Sequence, residues 1–108
     1  SNVTEDHFEK MKYLKNVVKE SGRLHSIVPA NARQLQEDLV IDEYLIPKGT
    51  LCTFGNSFIS RSERFFKNPL QFDPTRWDRE ASEINPYSTL SFGFGARMCI
   101  GRRVAEQE

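Results

Sequence analysis

The chain has 108 residues, 38% hydrophobic and 28% charged, with 15 lysines and arginines balancing 15 aspartates and glutamates. That length holds one small domain with a modest core, and a net charge of zero removes the electrostatic footprint expected of a nucleic-acid or anionic-membrane binder. No apolar run approaches a membrane span, and two cysteines are too few for a disulfide scaffold or a zinc site, which points to a reduced, intracellular setting.

Residues 4–24 read as a helix, with Thr4 as N-cap and Glu5 and Asp6 in the first turn. A break near Met11 is compatible with the pattern. At helical spacing Met11, Tyr13, Leu14, Val17, Val18 and Leu24 share one arc, while Lys12, Lys15 and Lys19 share another. Glu20 borders the apolar arc with Arg23 beside it, and Gly22 weakens the helix. Pro29 ends it. Residues 31–58 turn strand-like, with Leu39-Val40-Ile41 and Tyr44-Leu45-Ile46 joined at Asp42-Glu43, and Leu51-Cys52-Thr53-Phe54 following a Pro47-Lys48-Gly49-Thr50 turn. These strands are expected to form a small antiparallel sheet. Residues 62–66 suit a short helix. Residues 68–90 are largely aperiodic and punctuated by proline, but Phe72, Trp77 and Tyr87 argue that the stretch is ordered.

The segment richest in chemistry runs from Ser91 to Arg103. Gly93, Gly95 and Gly101 surround Cys99 just ahead of a helical stretch at 101–108. Glycine permits tight turns and close approach to a flat ligand. A cysteine at a helix start has its thiolate favoured, and Arg97 is placed to pair with an anionic group of whatever that thiolate holds. Taken alone, a cysteine near glycines is more often a small buried residue in an ordinary loop.

The complete spacing Phe92-x-x-Gly95-x-Arg97-x-Cys99-x-Gly101 resembles the haem-ligand signature of the cytochrome P450 family. Glu20-x-x-Arg23 and Phe72-x-Pro74-x-Arg76-Trp77 stand before it in that family's order. The resemblance covers essentially the whole chain. It implies a mainly α fold with small β-sheets, of which this chain is the part from helix K through the haem-ligand loop to the start of helix L. The absent initiating Met and the helical stretch at the other end agree with such a fragment.

By that resemblance Cys99 is the axial thiolate of iron protoporphyrin IX (haem b) and the one catalytic position. Phe92 shields the thiolate, Arg97 and Arg33 pair with the propionates, and Gly101 leaves room for the porphyrin. Glu20, Arg23 and Arg76 match the buried salt-bridged triad that fixes the loop, a structural role. Ile27, Val28 and Ala30 fall where side chains face substrate, giving that wall an apolar character. The implied activity is insertion of one oxygen atom from O₂ into a lipophilic, sterol- or vitamin-like molecule.

The stretch from Tyr13 to Glu20 is similar to helix K of the mitochondrial branch, in which two lysines at the places of Lys15 and Lys19 contact an acidic [2Fe-2S] ferredoxin. The reading is therefore a matrix-side enzyme of the mitochondrial inner membrane, attached through parts outside this chain. A microsomal enzyme of the endoplasmic reticulum with a flavoprotein reductase, a non-oxygenase haem-thiolate enzyme, and a haem-free homologue kept as an interaction surface are the alternatives. The sequence departs from the family pattern at Gly22, a bulkier residue elsewhere, and at Ser26 and Ser91, where proline is usual.

Overall fold

The computed structural model describes residues 4, 7, 10–78 and 84–107. Glu5 and Asp6, read above as first-turn acids, and residues 79–83 of the irregular stretch lie outside them. Helix α1 spans Lys12–Leu24, so the 4–24 helix is not continuous: Met11 leaves helical geometry at φ −83°, ψ 68° and stands as the cap. Thr4 therefore does not cap α1. Its hydroxyl instead meets His7 Nδ1 at 3.0 Å, one turn along. At the other end the His25 N–H donates to the Ser21 carbonyl, and Pro29 follows at a position with no N–H to continue the ladder.

Helix α1 buries an unexpected stripe. Asn16, Glu20, Arg23 and Leu24 are its buried residues, which is the i, i+4, i+7, i+8 spacing of one helical face. Of the apolar arc read from the sequence only Leu24 is buried; Tyr13 is 65% exposed, Leu14 and Val18 are 44% exposed, and Val17 is half-buried. The reason is what this face meets within the chain. It packs on the 3₁₀ turn Pro74–Trp77, which offers hydrogen-bond donors rather than an apolar surface.

The strands form two separate two-stranded antiparallel sheets, not one three-stranded sheet. β2 (Leu39–Ile41) and β3 (Tyr44–Ile46) make a hairpin with Val40 opposite Leu45. Asp42, at φ 51°, takes its left-handed corner, a conformation that aspartate tolerates better than most side chains. β4 (Leu51–Phe54) pairs back with β1 (Asn31–Gln34), placing Arg33 opposite Cys52. The hairpin is thus an insertion between the paired strands. The Gly49 N–H to the Leu35 carbonyl at 2.8 Å and the Leu35 N–H to the Thr50 carbonyl at 3.0 Å tie its base.

Two further corrections concern short helices. Residues 56–58, the end of the stretch read as strand-like, belong to helix α2 (Asn56–Ile59). Residues 62–66, read as helix, are turns, in which Phe65 and Phe66 donate to the Ser62 carbonyl. In the irregular stretch the one regular element among the described residues is the Pro74–Trp77 turn. Asp73 caps it by accepting from the Thr75 N–H at 3.0 Å, and Pro74 occupies the first helical position. Helix α3 is Arg102–Ala105. Among the described residues Leu24 and Phe66 are the only buried hydrophobic side chains, so the centre of this chain is polar. No described helix is long and apolar enough to cross a membrane.

Candidate functional site

The Glu20 carboxylate and the Arg23 guanidinium are both fully buried, and each satisfies the other. Arg23 Nη2 donates to Glu20 Oε1 at 2.7 Å and Nε to Oε2 at 2.9 Å, a two-pronged pair across one helical turn. Arg76 Nε, the Asp73 N–H and Trp77 Nε1 then bring three more donors to the same carboxylate, at 2.9, 3.0 and 2.9 Å. What is left of Arg23 reaches backbone carbonyls of Ser60 at 2.8 Å, Pro69 at 2.6 Å and Gln71 at 3.2 Å. The Phe66 ring lies under both guanidiniums, 4.9 Å from Arg23 and 5.9 Å from Arg76.

The predicted Glu20, Arg23 and Arg76 are therefore brought together as a closed network. Among the described residues no buried side-chain nitrogen or oxygen lacks a partner. Burial by itself raises the Glu20 pKa. That is the largest single influence, but the hydrogen bonds from Arg23, Asp73, Arg76 and Trp77 together outweigh it, and the net result is a fall from 4.5 to about 2. The Asp73 carboxyl is also held below its ordinary value, by its hydrogen bonds from the Thr75 hydroxyl and N–H.

Sequence reasoning did not find Trp77, Asp73 or Phe66 as members. For Trp77 the signal was present, since it follows Arg76 directly and a tight turn aims neighbouring side chains at a common acceptor. For Phe66 no local signal existed, because its place depends on how residues 60–71 wrap around Arg23.

The network borders the glycine-rich loop. Three backbone hydrogen bonds shape that loop. Gly93 N–H donates to the Leu90 carbonyl at 3.0 Å, and Cys99 N–H donates to the Phe92 carbonyl at 2.8 Å, closing a lasso between the predicted aromatic shield and the predicted ligand. Inside it Gly93 and Gly95 adopt φ values of +77° and +71°, where a side chain would be strained. The 3₁₀ turn Gly95–Arg97 sits at the tip, and the Met98 N–H returns to the Gly95 carbonyl. Tyr87 braces the loop edge-on against Phe94, with ring centroids 5.1 Å apart.

Cys99 emerges from this lasso as an exposed free thiol. A side chain at position 101 would sit 3.9 Å from its sulfur, so Gly101 keeps one side of the thiol clear. Arg97 is exposed two residues before it, and Phe92 is half-buried beneath the Arg102 guanidinium at 5.9 Å. An accessible thiol, a cleared flank and an adjacent cation for carboxylates are the donor set that a haem would use.

The remaining predicted residues stand apart. Arg33 is exposed on β1 and donates to the Ala32 carbonyl at 2.7 Å, and no hydrogen bond or ion pair among the described residues joins it to the loop. Ile27 is 97% exposed and Val28 51% exposed on the connector after α1, with Ala30 half-buried beside them. Lys15 is half-buried, and Lys19 extends over the Trp77 ring at 5.8 Å. The Asn16 amide donates to Asp78 at 2.7 Å, tying the same helix face to the end of the 3₁₀ turn.

The sequence profile of the Cytochrome P450 family matches residues 1–108. The chain belongs to the cytochrome P450 family. Haem is the cofactor of that family, and the lasso supplies the residues that fit one. Among similar proteins, a probable cytochrome P450 49a1 of Drosophila melanogaster is 39% identical over 118 residues, covering 100% of this chain and 20% of that protein. The mitochondrial 1,25-dihydroxyvitamin D(3) 24-hydroxylase of Rattus norvegicus is 44% identical over 101 residues, 94% of this chain and 20% of its own length. The mitochondrial 25-hydroxyvitamin D-1 alpha hydroxylase of Homo sapiens is 43% identical over 99 residues, 92% of this chain and 20% of its length. The chain thus spans about a fifth of the curated P450 relatives it matches.

Proposed function

We propose that the protein carrying this segment is a haem-thiolate monooxygenase of the mitochondrial type. It inserts one oxygen atom from O₂ into a lipophilic, sterol- or vitamin-like substrate and receives electrons from an acidic [2Fe-2S] ferredoxin on the matrix side of the inner membrane. The observation that carries the reading is the exposed Cys99 thiol held on the Phe92 lasso with Gly101 clearing its flank. The identity to relatives named as mitochondrial vitamin D hydroxylases supports the substrate class and the compartment.

Cys99 would hold the iron through its sulfur. Arg97 and Arg33 would hold the propionates, Arg33 by leaving its hydrogen bond to Ala32, and Phe92 would keep water from the sulfur. When bound, a thiolate-ligated haem supplies the electron donation that favours O–O cleavage. Everything else falls to the protein's own side chains. The Glu20–Arg23–Arg76 network anchors the helix and the turn beside the loop, so that the sulfur stays in one position. Ile27, Val28 and Ala30 form an apolar surface suited to a lipophilic molecule. Lys15 and Lys19 present cations from α1 to an acidic partner, contacts of a kind that mainly raise the on-rate and make it salt-sensitive.

The test is the carbon monoxide difference spectrum of the reduced full-length protein. A strongly red-shifted Soret band is expected. Haem bound with an ordinary Soret position, or folded protein with no haem, overturns the reading.

A further inference from the structure

Gly22 lies on α1 between the two buried charges Glu20 and Arg23, and it faces Ser91 at the start of the ligand loop. A Cβ built at position 22 would stand 3.0 Å from the Ser91 Oγ and 3.6 Å from its Cβ. The first distance is shorter than a carbon and a hydroxyl oxygen ordinarily accept. We propose that Gly22 and Ser91 act as one steric pair, in which the missing side chain on the helix makes room for the serine and so sets where the Cys99 loop sits. The proposal rests on the haem-thiolate reading for its consequence, though not for its geometry.

The two sides of this contact differ in how far they can move. On the helix side Glu20 and Arg23 are fully buried and bonded to Arg76, Trp77, Asp73, Ser60, Pro69 and Gln71. Shifting α1 would break several of these bonds at once, around charges that cannot be left unpaired. On the loop side Ser91 is exposed, within the turn that Gly93 closes onto Leu90. Bulk added at position 22 is therefore relieved by moving Ser91. The next residue, Phe92, carries the carbonyl that accepts the Cys99 N–H. A displacement at Ser91 thus reaches the sulfur-bearing residue through one residue and one hydrogen bond. Gly22 and Ser91 are positioning residues in this scheme and touch no reacting atom.

The test is a double-mutant cycle in the full-length protein with Gly22→Leu, Ser91→Gly and the pair combined. Two readouts are followed: the rate of haem transfer to an apo-globin acceptor, and the share of the carbon monoxide complex with the red-shifted Soret band. Gly22→Leu is expected to speed haem loss about tenfold and to move part of the complex to the ordinary Soret position. Leucine is a better helix residue than glycine, so helix propensity alone predicts no loss. Ser91→Gly alone is expected to stay near wild type, and the double variant to recover most of what Gly22→Leu loses. A double variant no better than Gly22→Leu, or Gly22→Leu with wild-type behaviour, overturns the pairing.

If Gly22→Leu does not fold, Gly22→Ala takes its place, with a smaller effect of the same pattern. If the wild-type protein shows no thiolate-haem band, the haem reading fails separately. The cycle is then read in the thermal midpoint, where absence of rescue by Ser91→Gly overturns the pairing.

Discussion

The charge network and the ligand loop lie side by side and are built on opposite terms. Around Glu20 every donor and acceptor is matched within the chain, and the exposed surface of the central pair is zero. Around Cys99 the side chains face outward: the thiol is free and exposed, and Phe94 and Ile100 are 64% and 103% exposed. The first region spends its hydrogen bonds on itself and so can serve only as a frame. The second keeps backbone order through three hydrogen bonds and two left-handed glycines while leaving its sulfur accessible. Rigidity and accessibility are divided between neighbours, and the division can be broken from either side.

The largest expected effect is at the loop. Cys99→Ala should abolish the red-shifted carbon monoxide band while leaving far-ultraviolet circular dichroism unchanged, because no bond of the frame involves that sulfur. Retention of the band would remove Cys99 from the site. At the frame, Arg23→Ala strands the Glu20 carboxylate inside the protein and should cost about 3–5 kcal/mol. The haem-to-protein ratio of that variant should fall to near zero. A normal ratio would show that the loop does not depend on the network.

Acid should act on the frame in a defined window. The Glu20 pKa is lowered in the folded state, from 4.5 to about 2, so the stabilisation it brings is complete above about pH 4.5. It is then lost as the pH falls through the range between those values. The size is on the order of 3 kcal/mol. Glu20→Gln should be less stable at neutral pH and should flatten that acid limb in denaturant titrations. An acid limb identical to wild type would detach the titration from Glu20. A smaller effect is expected for Trp77→Phe, which removes one hydrogen bond to a buried carboxylate and should lower stability by about 1–3 kcal/mol without moving the Soret band.

The smallest effect concerns the two lysines of α1. Charge reversal at Lys15 and Lys19 should slow ferredoxin-supported turnover and weaken its dependence on salt, with peroxide-supported turnover as the control. Since Lys19 also lies over Trp77, equal losses by both routes would assign the lysines to the frame and not to docking.

Sequence alone carried the chemistry further than the architecture. Glu20, Arg23 and Arg76 were legible as a set through the resemblance of their motifs to a family pattern, and the folded chain brings them into one network; the same resemblance singled out Cys99. The Phe92 lasso was half legible: the glycines announced a turn, but only the structure could reveal the hydrogen bond from Cys99 to Phe92. What the sequence misread were features decided by distant contacts. The amphipathic arc of α1 pointed to an apolar buried face, yet apart from Leu24 the face that packs within this chain is polar, because the Pro74–Trp77 turn supplies hydrogen-bond donors for Glu20. Strand order was equally invisible, since β4 chooses β1 over β3 by long-range pairing that no local pattern encodes. The contact between Gly22 and Ser91, far apart in the chain, exists only once the helix and the loop are folded against each other. Local bonding rules fix which residues can do the chemistry, and tertiary packing decides which of them meet.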